Sequence, residues 1–135
     1  MKKIIFEALL LTSFVVILTG CKKEPQYFVQ QNKAPVAYAG VDQTVSLPVD
    51  SVEFIGRGTD ADGSIVNYSW EKISGPSSFI IFNPSLAITK VKSLLEGVYV
   101  FELKVTDNDG LSARDKVVVN VMVSAIDPCN GCWDY

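Results

Sequence analysis

The stretch "GVYVFELKVTDNDGLSARDKVVVNVMV" (Gly97–Val123) alternates twice, on either side of one turn. Tyr99, Phe101, Leu103 and Val105 share one side of its first half; Val117, Val119, Val121 and Val123 share one side of its second. A period of two is the signature of a strand with one buried face. "TDNDG" (Thr106–Gly110) between the halves is made of turn residues. The reading is two long antiparallel strands that show an apolar face to a core. A lone hairpin cannot bury that face, so other strands must cover it.

Candidates lie upstream. "PVAYAG" and "QTVSL" are short β runs, "SVEFIG" (Ser51–Gly56) alternates through Val52 and Phe54, and "AITKV" is another run. "SIVNYSWEKI" predicts Val66, Tyr68 and Trp70 on one face. After Lys22 no segment has a helical period. Seven short strands over about ninety residues predict an all-β fold, an antiparallel β-sandwich of immunoglobulin-like plan. In antibody domains a cysteine on strand B and another on strand F flank a tryptophan on strand C. Phe54, Trp70 and Phe101 stand at those places, so aromatic packing replaces the disulfide. Tyr99, after Gly97 and Val98, fits a tyrosine corner at the start of strand F.

"NKAPVAYAGVDQTVSLP", "DADGSIVNYSWEKISGPSS" and "GVYVFELKVTDNDGLSARDKVVVNV" together resemble a PKD domain, the immunoglobulin-like module named after polycystin. The resemblance runs from about Asn32 to Val123. Many members of that family read Trp-Asp-Phe-Gly-Asp-Gly after strand C; this chain has "WEKISGPSS" instead. The resemblance implies adhesion, spacing or carbohydrate-associated accessory roles outside the cell, and no catalysis.

The two acidic turns, "TDADG" (Thr59–Gly63) and "TDNDG", are where a cation could sit. An EF-hand is excluded, because Ile65 takes the sixth position from Asp60, where a glycine is required. Locally, each Asp-x-Asp-Gly reads as a turn capped by its own aspartates, with the glycine at positive φ. In an immunoglobulin-like sandwich the B–C and F–G loops share one end, and strand A begins there too. Asn32, Asp60, Asp62, Asp107 and Asp109 are therefore expected at one pole. Two readings compete: solvated turns whose carboxylates never converge, or a Ca²⁺ site with Asp60 and Asp62 as leading ligands. Some PKD domains bind calcium near this pole, which the resemblance makes relevant.

The ends of the chain carry other signals. Lys2 and Lys3 precede the apolar run "IIFEALLLTSFVVILTG" (Ile4–Gly20), the layout of a secretory signal peptide. "LTGC" (Leu18–Cys21) resembles a bacterial lipobox, which implies lipid attachment at Cys21. The expected organisation is a cleaved signal peptide at 1–20, an anchor and tether at 21–33, a β-sandwich at 34–124 and a tail at 125–135. The twelve residues Lys22–Lys33 span at most about 40 Å. In the tail, "PCNGCWDY" pairs Cys129 with Cys132. A local disulfide suits an oxidising exterior, and a redox dithiol is the other reading. Val98 and Val100, on the outward side of strand F, with Met122 on the neighbouring strand, form a small apolar patch. Trp133 and Tyr135 would extend it into a partner site.

Charge and composition bound the rest. Net charge is −3 and histidine is lacking. Phosphate recognition needs a basic face, so nucleic acid is not an expected partner. Histidine-dependent triads and zinc–histidine sites are excluded. The expectation is a non-catalytic lipoprotein, joined to a membrane through Cys21, that binds protein or polysaccharide. The competing class is an accessory subunit of an envelope complex with no ligand of its own. A dithiol oxidoreductase is the remaining enzymatic reading. The location expected is the outer membrane of a Gram-negative cell, facing the periplasm or the exterior.

Overall fold

The computed structural model describes Tyr27 and residues 29–124. Nine strands follow in order: β1 (Val36–Tyr38), β2 (Gln43–Leu47), β3 (Val52–Ile55), β4 (Arg57–Thr59), β5 (Ile65–Ser74), β6 (Ile80–Ile81), β7 (Ile88–Lys92), β8 (Gly97–Asp107) and β9 (Ser112–Val123). Among the described residues there is no helix. One layer is the four-stranded sheet β2-β9-β8-β5; the other holds β3-β7-β6, with the β1-β4 pair continuing it past Gly56. This is the all-β, immunoglobulin-like sandwich that the alternation predicts. In immunoglobulin terms β3 and β4 form strand B, β5 is C, β8 is F and β9 is G.

Tyr99, Phe101, Leu103 and Val105 from β8 and Val117, Val119 and Val121 from β9 are buried as expected, whereas Val123 lies past the core and is exposed. The three aromatics meet at the centre: the Phe54 ring lies 4.8 Å from Trp70 and 5.0 Å from Phe101, the latter edge-on. Tyr99 makes the corner. Its hydroxyl accepts from Leu95 N at 2.9 Å and donates to Ser78 O at 3.0 Å.

One expected face is corrected. Val66 is exposed rather than aligned with Trp70, and Ile65 packs against the core in its place. A β-bulge between Ile65 and Asn67 is the reason, since Asp107 and Thr106 are consecutive while their partners are two apart. One extra residue reverses which side faces inward. A second bulge lies between Lys72 and Ser74. With Trp70 N donating to Pro84 O at 2.8 Å, the two bulges blunt the open edge of β5. The "WEKISGPSS" departure folds back on itself here: Lys72 Nζ donates to Gly75 O (3.1 Å) and Pro76 O (2.6 Å) and sits 4.7 Å from the centre of the Phe79 ring.

The first strand divides between the layers. β1 pairs antiparallel with β4, and β2 pairs parallel with β9. Two aspartates hold the crossing between them: Asp115 accepts from Ala39 N at 2.7 Å, and Asp42 accepts from Val118 N at 2.8 Å. These bonds satisfy backbone donors that neither sheet reaches.

Candidate functional site

The topology brings the three expected segments together at one pole. Asn32 Nδ2 donates to Asp107 Oδ2 at 3.1 Å, and Lys33 N donates to Asp62 Oδ2 at 3.2 Å. The segment that leads into β1 is thus tied to both acidic loops. Each loop is also capped by its own first aspartate, as its spacing suggests. Asp62 N donates to Asp60 Oδ1 at 3.1 Å, and Asp109 N donates to Asp107 Oδ1 at 2.9 Å.

The two glycines differ, and this corrects the expectation of positive φ at both. Gly110 has φ +93°, whereas Gly63 is not in the left-handed region. What Gly63 supplies is space: a Cβ there would collide with Asn108 Oδ1 and stand 3.3 Å from Asp60 Oδ2. Asn108 needs that approach because it staples the loops. Its Oδ1 accepts from Ser64 N at 2.7 Å, its own N donates to Ser64 O at 3.0 Å, and its Nδ2 donates to Asp109 Oδ2 at 2.9 Å. Sequence reasoning weighed the carboxylates and passed over Asn108. Its signal was the middle position of a second Asp-x-Asp-Gly.

Asp107 ends β8 on the inward side and is 1% exposed. Burial by itself would raise its pKa. The donors Asn32 Nδ2, Leu111 N, Asp109 N and Gly110 N outweigh that and hold it below the usual carboxylate value.

This donor set does not fit a calcium ion as placed. The oxygens of Asp107 and Asp62 are occupied by N–H donors, and among the described residues no group of three or more acidic or cysteine side chains is arranged to hold a metal. Asp60 Oδ2 is the one buried side-chain oxygen among them without a hydrogen-bond partner. Glu71, which falls twelfth from Asp60, pairs with Arg114 at 3.0 Å on the outer face of the four-stranded sheet. Arg114 also bridges to Glu102, and both carboxylates raise its pKa.

The second expected patch is on the opposite end of that face. Val98 pairs with Asn120 and Val100 with Val118, so Met122 lies one diagonal step from Val98. Val98 and Met122 are exposed, and Val100 is half-buried. Trp133 and Tyr135, which were to extend it, lie outside the described residues, as do Cys21, Cys129 and Cys132. A shallow groove, lined by Gly40, Val41, Gln43, Glu53 and Ile55, marks the place where the first strand changes sheets. Gln43 Nε2 donates to Glu53 O there at 2.9 Å, across the otherwise open edge of β3.

The chain is similar to known proteins. The chain is 41% identical over 92 residues to the dyslexia-associated protein KIAA0319 homolog of Mus musculus, which covers 68% of this chain and 8% of that protein. It is 35% identical over 96 residues to low-density lipoprotein receptor-related protein 11 of Homo sapiens, 71% of this chain and 19% of that one. The chain therefore spans a fifth or less of these curated relatives. Among solved structures, the PKD domain from KIAA 1837 protein superposes with a TM-score of 0.62 at 33% identity, covering 72% of this chain and 95% of that domain. The PKD1 domain of Vibrio anguillarum Epp does so with a TM-score of 0.53 at 29% identity, covering 70% and 100%. The model of the K319L-like PKD domain matches residues 39–121, the interval that holds the buried core of the described residues, and the chain belongs to that family.

Proposed function

We propose that this chain is a lipoprotein whose PKD domain binds a protein or polysaccharide outside the cytoplasm, without catalysis. One observation carries the reading: the family match and the buried core coincide over residues 39–121. The folded part is thus a module of a kind that typically serves binding or adhesion. The groove at the sheet crossing brings a single titratable side chain, Glu53, which supports recognition rather than acid–base chemistry. A related structure adds a direction for the ligand. A nucleoside hydrolase-related hypothetical protein from Saccharophagus degradans, associated with carbohydrate metabolism, superposes with a TM-score of 0.58 at 28% identity, covering 67% of this chain and 26% of that one.

The anchor in this reading is Cys21, acylated after removal of residues 1–20, in the outer membrane of a Gram-negative cell. Two or more acyl chains hold a protein firmly where one does not. Metabolic labelling with a fatty-acid analogue tests it: the label is expected on the wild-type chain and lost in Cys21→Ser. A glycan array and a membrane co-purification, both made with the folded domain, test the binding role. A specific glycan or a stoichiometric protein partner is the expected outcome. Retention in an envelope complex with no glycan bound on the array would favour an accessory subunit without a ligand.

A further inference from the structure

Both sheets carry exposed apolar side chains, and those of β3-β7-β6 lie among cations. On the outer face of β3-β7-β6, Ile55 stands directly opposite Ile88, and Ile80 stands opposite Lys92. Phe82 joins the same row as Lys90, its N donating to Lys90 O at 3.0 Å. These four apolar side chains are 48–54% exposed. Arg57, Lys90 and Lys92 lie among or beside them, against one carboxylate, Glu53, which faces Lys90. Lys92 Nζ rests 4.7 Å from the centre of the Phe82 ring.

The outward face of the other sheet carries Val98, Val100 and Met122 at one end. The rest of it includes Glu71, Glu102, Lys104, Arg114 and Lys116, of which Arg114 is paired with both glutamates, and the polar Thr44, Ser46 and Asn120. A sheet face that only meets water normally carries that kind of polar surface. The β3-β7-β6 face instead joins large apolar side chains to an excess of cations, in a chain whose net charge is −3. Contiguous apolar surface rimmed by charge marks an interaction site, and the local sign of charge selects an anionic partner.

We propose that the outer face of β3-β7-β6 lies on an anionic lipid surface. Ile55, Ile80, Phe82 and Ile88 would enter the headgroup boundary while Arg57, Lys90 and Lys92 meet lipid phosphates. A bilayer accounts for both halves of the patch, the flat apolar area and the cations around it. The inference rests on the membrane-anchor reading above, under which a tether of at most about 40 Å keeps the domain within reach of the bilayer.

The test uses residues 31–135. Among the described residues every buried core side chain lies between Ala39 and Val121, and the related domain from KIAA 1837 protein was solved as an isolated unit. Amide NMR spectra are followed while vesicles of phosphatidylglycerol and phosphatidylcholine are added, with pure phosphatidylcholine as the neutral arm. The expected result is broadening confined to β3, β6 and β7, seen with anionic vesicles only and reversed by salt. Lys90→Gln with Lys92→Gln should weaken it about twenty-five-fold, since each cation near such a surface contributes about a factor of five. Lys104→Gln with Lys116→Gln makes the same charge change on the opposite face and should alter it less than twofold. No broadening, broadening centred on β8 and β9, equal response to neutral vesicles, or full competition by a soluble anionic polysaccharide would each overturn the proposal. Fatty-acid labelling at Cys21 reports on the anchor separately. A labelled chain whose domain ignores vesicles sinks this inference alone, whereas vesicle binding by a chain that is not acylated keeps the face and sinks the anchor.

Discussion

Replacing Tyr99 by phenylalanine removes one oxygen and leaves the ring, which stacks on Phe101 at 6.0 Å with planes 10° apart. The change therefore isolates the corner hydrogen bonds from the packing. In the wild-type chain the hydroxyl ties Leu95, in the loop before β8, to Ser78, in the segment after β5. Tyr99 is wholly buried and both bonds are part-buried, so loss of the hydroxyl strands an N–H and a carbonyl that solvent reaches only in part. Leaving a buried polar group without its partner costs about 1–3 kcal/mol, and about 2 kcal/mol is the expectation here. For a domain of this size that corresponds to a fall in Tm of about 8–16 °C. Urea unfolding of residues 31–135, followed by circular dichroism, would show a lower midpoint with an unchanged slope. Val98→Ala, at the exposed position next in sequence, should stay within about 0.5 kcal/mol and serves as the control. A Tyr99→Phe change of under about 0.5 kcal/mol would refute the reasoning: water would then be replacing both partners, and the corner would be a packing feature only.

Three other perturbations follow from the same contacts. Gly56→Ala puts a Cβ 2.7 Å from Leu103 Cδ2 and from Trp70 Cζ2 and 3.0 Å from Ala87 O, and overpacking of this kind should cost about 1–3 kcal/mol in a urea melt. Asp107 has a pKa lowered by folding, so its contribution is present in full above the unfolded carboxylate value of about 3.9 and is lost as pH falls through the lower folded value. Stability measured from pH 6 down to pH 2 should decline over that acid window, and Asp107→Asn should flatten this part of the profile while lowering stability at neutral pH. Calcium would have to displace Lys33 N from Asp62 and the Asn32 amide from Asp107. Thermal midpoints in millimolar calcium and in chelator should therefore agree within a degree, and a rise of several degrees would show that the pole rearranges around an ion.

The strands that carry the core were legible because β8 and β9 are long, regular and rich in β-branched and aromatic residues. Phe54, Trp70 and Phe101 could be matched to the immunoglobulin plan for the same reason, as could the corner at Tyr99. Features that depend on a partner strand were not legible. The bulge that turns Val66 outward is a mismatch between β5 and β8, and neither segment shows it alone. β6, two residues long, exists only because Ile80 and Ile81 pair with β7. β9 starts at Ser112, ahead of its apolar run, since pairing with β8 recruits the polar "SARDK". At the pole, topology gave the meeting of three segments, while the use of their oxygens was decided by backbone donors that no spacing records. The larger apolar face was hidden most thoroughly. Ile55, Ile80 and Ile88 come from three separate segments, whereas Val98 and Val100 are neighbours in one strand and were noticed first.

That last difference also bears on how net charge should be used. A total of −3 argues soundly against nucleic acid, because tracking a phosphate backbone takes many cations along an extended path. It does not exclude every anionic surface, because charge acts within a Debye length of about 8–10 Å and not over the whole molecule. Asp60, Asp62, Asp107 and Asp109 sit on two loops at one pole, where hydrogen bonds to backbone and to the segment that leads into β1 engage them. Lys90 and Lys92 sit on β7 among isoleucines, and Arg57 on β4 of the adjoining pair in the same layer. The two groups answer to different neighbours. A lipid surface that meets the sheet face-on encounters three cations and one carboxylate, with apolar side chains between them. An acidic chain can therefore hold a face suited to an acidic membrane, and the matched lysine pairs on β7 and on the opposite sheet are what separate that local effect from the charge of the whole.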